Sequence, residues 1–240
     1  MSFVITLWVH GGIVMASDSR LTLNTTLDIA GQPTLHYSVS QTDTNYKTFL
    51  TPGGVGISTF GDGAIQGVPI SGHIESFMND RLAAGSSDVD GVAKKLLEHF
   101  RALPGPPKAG FHVAGWLTES NTRVPIVWSI DIFNGTMTRR NLPGVHGSMW
   151  DGEADILSRL TLPVAHLDAS GNIAYRPTEY LTHIGFFTVQ DAIDYALYAV
   201  RVTIDTIRFQ ARPKTVGGPV DILVIRPTGA QWIQRKELHA

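Results

Sequence analysis

The residues best suited to covalent chemistry stand at the start of the chain. If the initiator Met1 is removed, Ser2 becomes the first residue and carries both a hydroxyl and a free α-amine. This amine has an ordinary pKa of about 7.7–8.0, so near neutral pH it can take the hydroxyl proton and make the serine a nucleophile. An ammonium held by a carboxylate would stabilise the developing negative charge. Asp18, which follows the second run of strand residues, is the candidate carboxylate.

A predicted β-hairpin brings Asp18 towards Ser2. Its two runs are rich in β-branched and aromatic residues, and His10-Gly11-Gly12 between them signals a turn. A three-residue loop would put Ser2 opposite Arg20, with Asp18 as its diagonal neighbour about 7–8 Å away on the same face. A two-residue loop would turn Asp18 to the other face, so the catalytic hypothesis predicts the three-residue loop. The predicted strands are Phe3 to Val9 and Ile13 to Ala16.

The elements that must support this hairpin form blocks of strands and blocks of helices. Such a segregated order does not fit repeated βαβ units, and it predicts an α+β fold in a single domain, residues 1–240. Predicted strands are Lys47 to Leu50, Val55 to Phe60, Phe111 to Leu117, Val124 to Phe133, Thr136 to Arg140, Val220 to Ile225 and Gln231 to Gln234. Predicted helices are Gly61 to Leu82, a segment capped by Ser87-x-x-Asp90, Asp151 to Leu160, and a long one capped by Thr188. Residues 161–182 receive no assignment.

Composition excludes several classes of protein. The chain has no cysteine, so disulfides, a thiol nucleophile and cysteine-ligated zinc are excluded. A net charge of −2 without a dense basic run argues against nucleic-acid binding. The GDGAIQG segment lacks the third glycine of a dinucleotide-binding loop, so we expect no cofactor, and no close histidine pairing indicates a metal. No signal peptide or membrane span is visible, so a cytoplasmic location without membrane association is expected.

Several of these segments together resemble the β-type subunits of proteasomes, which are N-terminal nucleophile hydrolases. In that family a mature N-terminal threonine starts the first strand, and Ser2 stands at this place. The segment GGIVMASDSRLT matches the family with Asp18, Arg20 and Thr22, and YKTFLTPGGVGISTFGDG matches the region of the catalytic lysine with Lys47. Near the end, VGGPVDILVI resembles the family's glycine pair before the next-to-last strand.

The resemblance implies a fold, an activity and a set of roles. The fold would be a four-layer αββα sandwich, and the activity would be peptide hydrolysis inside a homo-oligomeric ring that admits unfolded chains; an ATPase ring as partner cannot be read from the sequence. Lys47 held by Asp18 would stabilise charge at Ser2, and the backbone N–H of Thr59, or alternatively of Gly61, would bind the oxyanion. The residues implied to line the substrate pocket are Leu21, Thr22, Ile57 and Gly61.

Four departures from the family pattern leave other functions open. The nucleophile is serine in place of threonine, and about a dozen extra residues separate Asp18 from Lys47. His146 stands before Gly147 where the family has a serine of the site, and Pro213 stands at the place of a late aspartate. A ring-forming relative without catalysis, and an amidase of the same fold acting on a small molecule, are therefore the alternatives.

Overall fold

The computed structural model describes residues 2–27, 35–82, 88–176 and 180–237. These residues form an α+β fold. In chain order the strands are β1 (Phe3–Val9), β2 (Gly12–Ser17), β3 (Leu21–Leu27), β4 (Leu35–Thr42), β5 (Thr48–Leu50), β6 (Gly56–Gly61), β7 (Ala64–Ile65), β8 (Val68–Pro69), β9 (Ala109–Glu119), β10 (Thr122–Asp131), β11 (Thr136–Arg139), β12 (Gly147–Gly152), β13 (Val164–Leu167), β14 (Ile173–Arg176), β15 (Asp221–Arg226) and β16 (Gly229–Gln234). The helices are α1 (Ile70–Arg81), α2 (Val89–Arg101), α3 (Asp155–Thr161) and α4 (Val189–Phe209), with a 3-10 turn at Ile184–Phe186.

Two five-stranded antiparallel sheets carry most of the strands. The first sheet has the order β12-β1-β2-β15-β16, and the second has the order β11-β10-β9-β6-β5. Both β1 and β2 are buried along their whole length, which is why their sequences are almost continuously apolar instead of alternating. Ser2 therefore enters the first sheet at the start of a central, fully buried strand.

Each sheet packs against helices on one face. Phe3, Ile5 and Leu7 of β1 belong to a buried cluster that also contains the inner side of α4. Ile57 of β6 and Phe111 of β9 belong to a second cluster with the apolar stripe of α2. That stripe repeats at helical spacing, so burying it on a sheet is the main stabilisation of this helix.

The two sheets also meet each other. Trp8 and Met15 of the first sheet share a buried cluster with Ala114 and Val127 of the second. A chain of hydroxyl groups links the sheets nearer Ser2, because Thr48 Oγ1 lies 2.8 Å from Ser17 Oγ and 2.9 Å from Ser58 Oγ.

Three predicted segments differ from the observed ones. The helix expected from Gly61 begins only at Ile70, because the positive φ of Gly61, Gln66 and Gly67 folds the intervening residues into the β7–β8 hairpin. The helix expected from Asp151 begins at Asp155, and residues 147–152 form β12. The mixed composition of β12 does not show the pattern of a strand. The predicted capping residue Ser87 lies outside the described residues, and the N-cap of α2 is Asp88, which accepts from Gly91 N.

Two further hairpins occupy segments that the sequence left without assignment. Strands β3 and β4 pair within the insertion between Asp18 and Lys47, and β13 and β14 pair within residues 161–182. Among the described residues, no helix is long and apolar enough to cross a membrane.

Candidate active site

The turn of the first hairpin differs from the prediction. Val9 pairs with Gly12 and Val4 with Ser17, so the loop has two residues, His10 and Gly11, and Asp18 lies opposite Phe3. The positive φ of Gly11 permits this tight turn. The predicted three-residue loop is therefore wrong. Asp18 still reaches the site because β2 ends at Ser17, and the strict alternation of side chains ends with the strand.

The carboxylate of Asp18 is the centre of the site. It is fully buried, and its Oδ1 accepts from Phe3 N at 3.0 Å and from Lys47 Nζ at 2.7 Å. Its Oδ2 accepts from Gly217 N at 3.0 Å and from Arg20 N at 3.1 Å. Four donors from four different chain segments thus converge on one carboxylate, which satisfies the buried charge.

Lys47 is held beside the first residues of β1. Its side chain is 2 % exposed, and its ammonium and the Phe3 amide share the same oxygen of Asp18. Burial lowers the pKa of Lys47 below its usual value, and the neighbouring Asp18 partly opposes this shift. The predicted pair of Lys47 and Asp18 therefore exists, and its carboxylate contacts Phe3, the residue that follows Ser2.

Ser2 is held from the other side by the end of β12. Its carbonyl oxygen accepts from Glu153 N at 2.7 Å, and the residue is 5 % exposed. A Cβ on Gly152 would lie 1.8 Å from that oxygen, and Gly152 has a φ of +90°, so glycine is required at this contact. Gly152 and Glu153 carry no signal in the sequence that places them beside Ser2, because the composition of β12 does not indicate a strand.

The loop that carries Gly217 to Asp18 has its own anchors. Glu153 accepts from Thr215 Oγ1 at 2.6 Å and from Arg212 Nη1 at 3.2 Å. Arg20 binds Asp43 through Nε at 2.6 Å and Nη2 at 2.7 Å, and this bidentate contact holds the pKa of Asp43 below its usual value. The loop before β15 and the insertion hairpin are thereby fixed around Asp18.

Asp221 and Lys236 form a second buried ion pair, in addition to that of Asp18 and Lys47. Asp221, which pairs with Ser17 across the sheet, is fully buried and contacts both the backbone N–H and the ammonium of Lys236. Tyr46 donates its hydroxyl to the carbonyl of Lys236 at 3.2 Å, and the Lys236 ammonium lies 4.4 Å from the Tyr46 ring. The chain segment after β16 is thus tied to the residue that precedes Lys47.

The position of the oxyanion donor needs a correction. The backbone N–H of Thr59 donates to the carbonyl of Lys47 at 2.9 Å, so it is already used within the sheet and does not fit the role predicted for it. Backbone N–H groups two residues apart in a strand point to the same side, so the N–H groups of Thr59 and Gly61 both point to the side of β5. Since the first residue of β5 pairs with Ser58, Gly61 lies past the end of that strand. Gly61, the alternative from the sequence, is the better candidate.

Substitution of Gly61 is predicted to be costly. Gly61 has a φ of +93°, and a Cβ there would lie 2.3 Å from the carbonyl oxygen of Lys108. We expect Gly61→Ala to lower the free energy of unfolding by about 2–4 kcal/mol in denaturant titrations, through backbone strain plus displacement of a strand. Gly67 has a φ of +81° with open space around it, so Gly67→Ala is the matched control for strain alone. Equal effects of the two substitutions would contradict the close approach seen at Gly61.

Two pockets flank Gly61. One, of about 620 Å³, is lined by Leu21, Thr22, Leu23 and the residues after Gly61, so three of the four predicted pocket residues lie there. Ile57, the fourth, is fully buried in the cluster against the helices, and its predicted place in the pocket is wrong. The other pocket, of about 690 Å³, adjoins Gly152 and contains the carboxylates of Asp131 and Asp151.

His146 and Gly147 lie away from the site. Gly147 pairs with Trp8, six residues along β1 from Ser2, which is about 20 Å at the usual rise of a strand. The His146 ring lies beside His10 of the hairpin turn, and its Nδ1 is 3.4 Å from the carbonyl oxygen of Gly185. Their predicted role as site neighbours is therefore wrong, because the end of β12 that meets Ser2 is Asp151 and Gly152. Pro213 belongs to the anchored loop between Arg212 and Thr215.

Neither the models of protein families nor the curated proteins match the chain.

The arrangement can support nucleophilic catalysis at Ser2. A buried, charged lysine beside the first strand residue favours negative charge on the Ser2 oxygen over the neutral hydroxyl. Asp18 accepts three hydrogen bonds from backbone N–H groups and one from Lys47, and its fixed carboxylate therefore holds the Lys47 ammonium in place. Open space on both sides of Gly61 leaves room for a substrate chain.

Proposed function

We propose that the protein is an N-terminal nucleophile peptidase similar to proteasome β-type subunits, with Ser2 exposed by removal of Met1. The observation that carries the proposal is the fully buried Asp18–Lys47 pair at the start of β1. Burying two charges costs free energy that apolar residues would not, so such a pair is poorly explained by stability alone. Its position next to Ser2 is explained if the serine is the nucleophile.

The reaction follows from these groups. Ser2 Oγ adds to the carbonyl carbon of the amide while its proton passes through a water molecule to the Ser2 α-amine. The oxyanion accepts from Gly61 N–H, and the Lys47 ammonium stabilises the negative charge. The C–N bond then breaks, the leaving amine takes the proton from the α-ammonium, and an ester of Ser2 remains. A second water, deprotonated by the same amine, hydrolyses that ester and restores Ser2.

The proposal extends to the arrangement of the molecule. The two sheets would form the inner layers of a four-layer αββα sandwich in one domain, supported by a buried cluster between the sheets and one against the helices on each side. We propose a cytoplasmic homo-oligomeric ring that hydrolyses peptides or unfolded chains. The apolar side chains of Leu21 and Leu23 in the pocket beside Gly61 support a preference for apolar residues on the acyl side.

A panel of fluorogenic peptides tests the proposal against the two alternatives. Hydrolysis of peptides longer than three residues, together with a ring-sized particle in solution, supports the peptidase. Hydrolysis confined to small amides supports the amidase, which the same nucleophile could perform. A ring without hydrolysis of either substrate class, in protein with a free Ser2, supports the structural relative. The departures at His146 and Pro213 from the family pattern suggested this alternative.

The pH dependence of hydrolysis is predicted to be bell-shaped. Activity should rise as the Ser2 α-amine loses its proton and fall again as the Lys47 ammonium loses its own. Because burial lowers the pKa of Lys47, the alkaline fall should occur below pH 10.5, the usual value for lysine. The rate is measured from pH 5 to 11, with circular dichroism at each pH as the control for unfolding. A rate that stays constant up to pH 10.5 in folded protein contradicts a role for charged Lys47.

A further inference from the structure

A buried histidine and a carboxylate that the reaction above does not use lie on the same side of the sheet as Ser2. His112 of β9 is fully buried, and its Nε2 lies 2.9 Å from Asp151 Oδ2. Its Nδ1 lies 3.0 Å from Thr6 Oγ1, and the Phe60 and His112 rings form a T-shaped contact with 5.5 Å between their centroids. A neutral imidazole that donates through Nε2 and accepts through Nδ1 satisfies both contacts.

The order of groups resembles a hydrolase triad, but Thr6 cannot act as its nucleophile. Thr6 is fully buried between the sheets, and no part of it reaches either pocket. Asp151 is the member that meets solvent, since its side chain is 38 % exposed and lines the pocket beside Gly152. Of Thr6, His112 and Asp151, Asp151 is therefore the residue that can act on a group in the pocket.

The pairing of β1 with β12 places Asp151 close to Ser2. Val4 pairs with Asp151 and Phe3 with Gly152, so Ser2 lies opposite Glu153. Side chains two residues apart share a face, so Ser2, Val4 and Thr6 all face the second sheet, and Asp151 faces it too. Ser2 and Asp151 are thus diagonal neighbours, whose Cα atoms are about 7–8 Å apart in such pairs.

The backbone directs the nitrogen of Ser2 to the same edge. The carbonyl of Phe3 accepts from Asp18 N on the β2 side, whereas the carbonyl of Ser2 accepts from Glu153 N on the β12 side. In an antiparallel pair the N–H and C=O of one residue point to the same neighbour. Once Met1 is removed, the α-ammonium of Ser2 therefore points towards the end of β12.

Most charged groups around this ammonium are already paired with an opposite charge. Asp18 binds Lys47, and Glu153 binds Arg212, which also contacts Asp155. The pocket beside Gly152 further holds Asp131 and Lys108, one of each sign. Asp151 differs, because its partner within hydrogen-bonding distance is an imidazole that needs no charge to make its contacts.

We propose that Asp151 is the electrostatic partner of the Ser2 α-ammonium, and that the buried His112 is the positioning residue that holds Asp151 there. This inference rests on the proposed N-terminal nucleophile. A carboxylate at this distance favours the protonated amine, so Asp151 raises the pKa of the α-amine and moves the acidic limb of the rate profile to higher pH. The same carboxylate stabilises the α-ammonium that forms when Ser2 Oγ adds to the substrate.

The test measures the α-amine itself, so that it does not depend on hydrolysis. Protein with Ser2 as its first residue is prepared by cleavage of an N-terminal fusion. The pKa of the α-amine is taken from the pH dependence of its acetylation by trace acetic anhydride, read by mass spectrometry of the N-terminal peptide. Asp151→Asn should lower this pKa by about 0.5–1 unit. Its amide oxygen can still accept from His112, so the fold is expected to persist.

Three further variants test whether the effect depends on the negative charge, on the position of the carboxylate and on its contact with His112. Asp151→Glu should keep the pKa near that of the unmodified protein, and Asp131→Asn, in the same pocket, should leave it unchanged. In a His112→Ala background the effect of Asp151→Asn should fall below half, because the carboxylate is no longer held. Equal pKa values in Asp151→Asn and unmodified protein, or equal shifts in Asp131→Asn and Asp151→Asn, overturn the proposal.

The acidic limb of the rate profile gives the second readout. Where the protein hydrolyses peptides, Asp151→Asn should move that limb to lower pH by the same amount as the amine pKa. A shift in the amine pKa without any hydrolysis by unmodified protein would retain the role of Asp151 and reject the proposed peptidase. Hydrolysis without a shift in either readout would retain the peptidase and reject the role of Asp151.

Discussion

Replacement of Ser2 by alanine is expected to lower kcat/KM for peptide hydrolysis by at least about 10³-fold, with little change in stability. In the proposed mechanism the hydroxyl oxygen of Ser2 forms the bond to the substrate, and no other group in that mechanism supplies this atom. The backbone contact that holds the residue, from Glu153 N to Ser2 O, is unchanged by the substitution. The measurement is steady-state hydrolysis of the best peptide of the panel, with thermal unfolding recorded in parallel.

Two control variants make this result specific to the nucleophile. Ser2→Thr retains a hydroxyl and an α-amine in the same place and should retain hydrolysis. Ser19→Ala removes a buried hydroxyl that donates to the carbonyl of Pro219 at 2.6 Å, and it should change the rate less than tenfold. Hydrolysis by Ser2→Ala at the rate of the unmodified protein would assign the activity to another residue.

Replacement of Lys47 by methionine is expected to affect both stability and activity. Asp18 would remain fully buried with three backbone donors but without its cation. Removal of one partner of a buried pair costs about 3–5 kcal/mol, and the loss of the ammonium beside Ser2 should lower kcat/KM by about 10²–10⁴-fold. Denaturant unfolding and single-turnover hydrolysis measure the two effects separately.

The matched control for Lys47 is a cation in an exposed pair. Arg139 lies 4.0 Å from Glu119 at the surface, with the two side chains 32 % and 47 % exposed. Arg139→Met should change the free energy of unfolding by less than about 1 kcal/mol and leave hydrolysis unchanged. A second control is the double variant Asp18→Asn with Lys47→Met, which removes both charges and should be more stable than Lys47→Met alone while remaining inactive. Full hydrolysis by Lys47→Met would contradict the mechanism.

The parts of the site that the sequence predicted are those carried by short-range signals. The glycine turn and the apolar runs of β1 and β2 predicted the hairpin, and the pairing of Asp18 with Lys47 followed from a segment resemblance. The length of the turn was predicted wrongly because two glycines allow either a two- or a three-residue loop. Asp18 reaches the site although the loop has two residues, because its carboxylate accepts hydrogen bonds from Gly217 and Lys47, which are distant in the sequence.

The parts that sequence reasoning missed are those that depend on strand partners. β12 lacks a clear strand pattern, so Asp151, Gly152 and Glu153 could not be placed beside Ser2, and His146 was placed there in error. A usable signal existed in β9, where His112 interrupts an apolar run and so needs a polar partner. The use of Thr59 N–H within the sheet could not be predicted, because it depends on the pairing of β6 with the chain before β5.

The central claim is that Ser2 is the first residue of the working protein and forms an acyl-enzyme. The most direct measurement is the intact mass of protein from its native host before and after incubation with a peptide β-lactone, followed by mapping of any adduct. We expect a chain without Met1 that gains one acyl group, bound to Ser2. A chain that keeps Met1 and hydrolyses peptides without an adduct at Ser2 would contradict it.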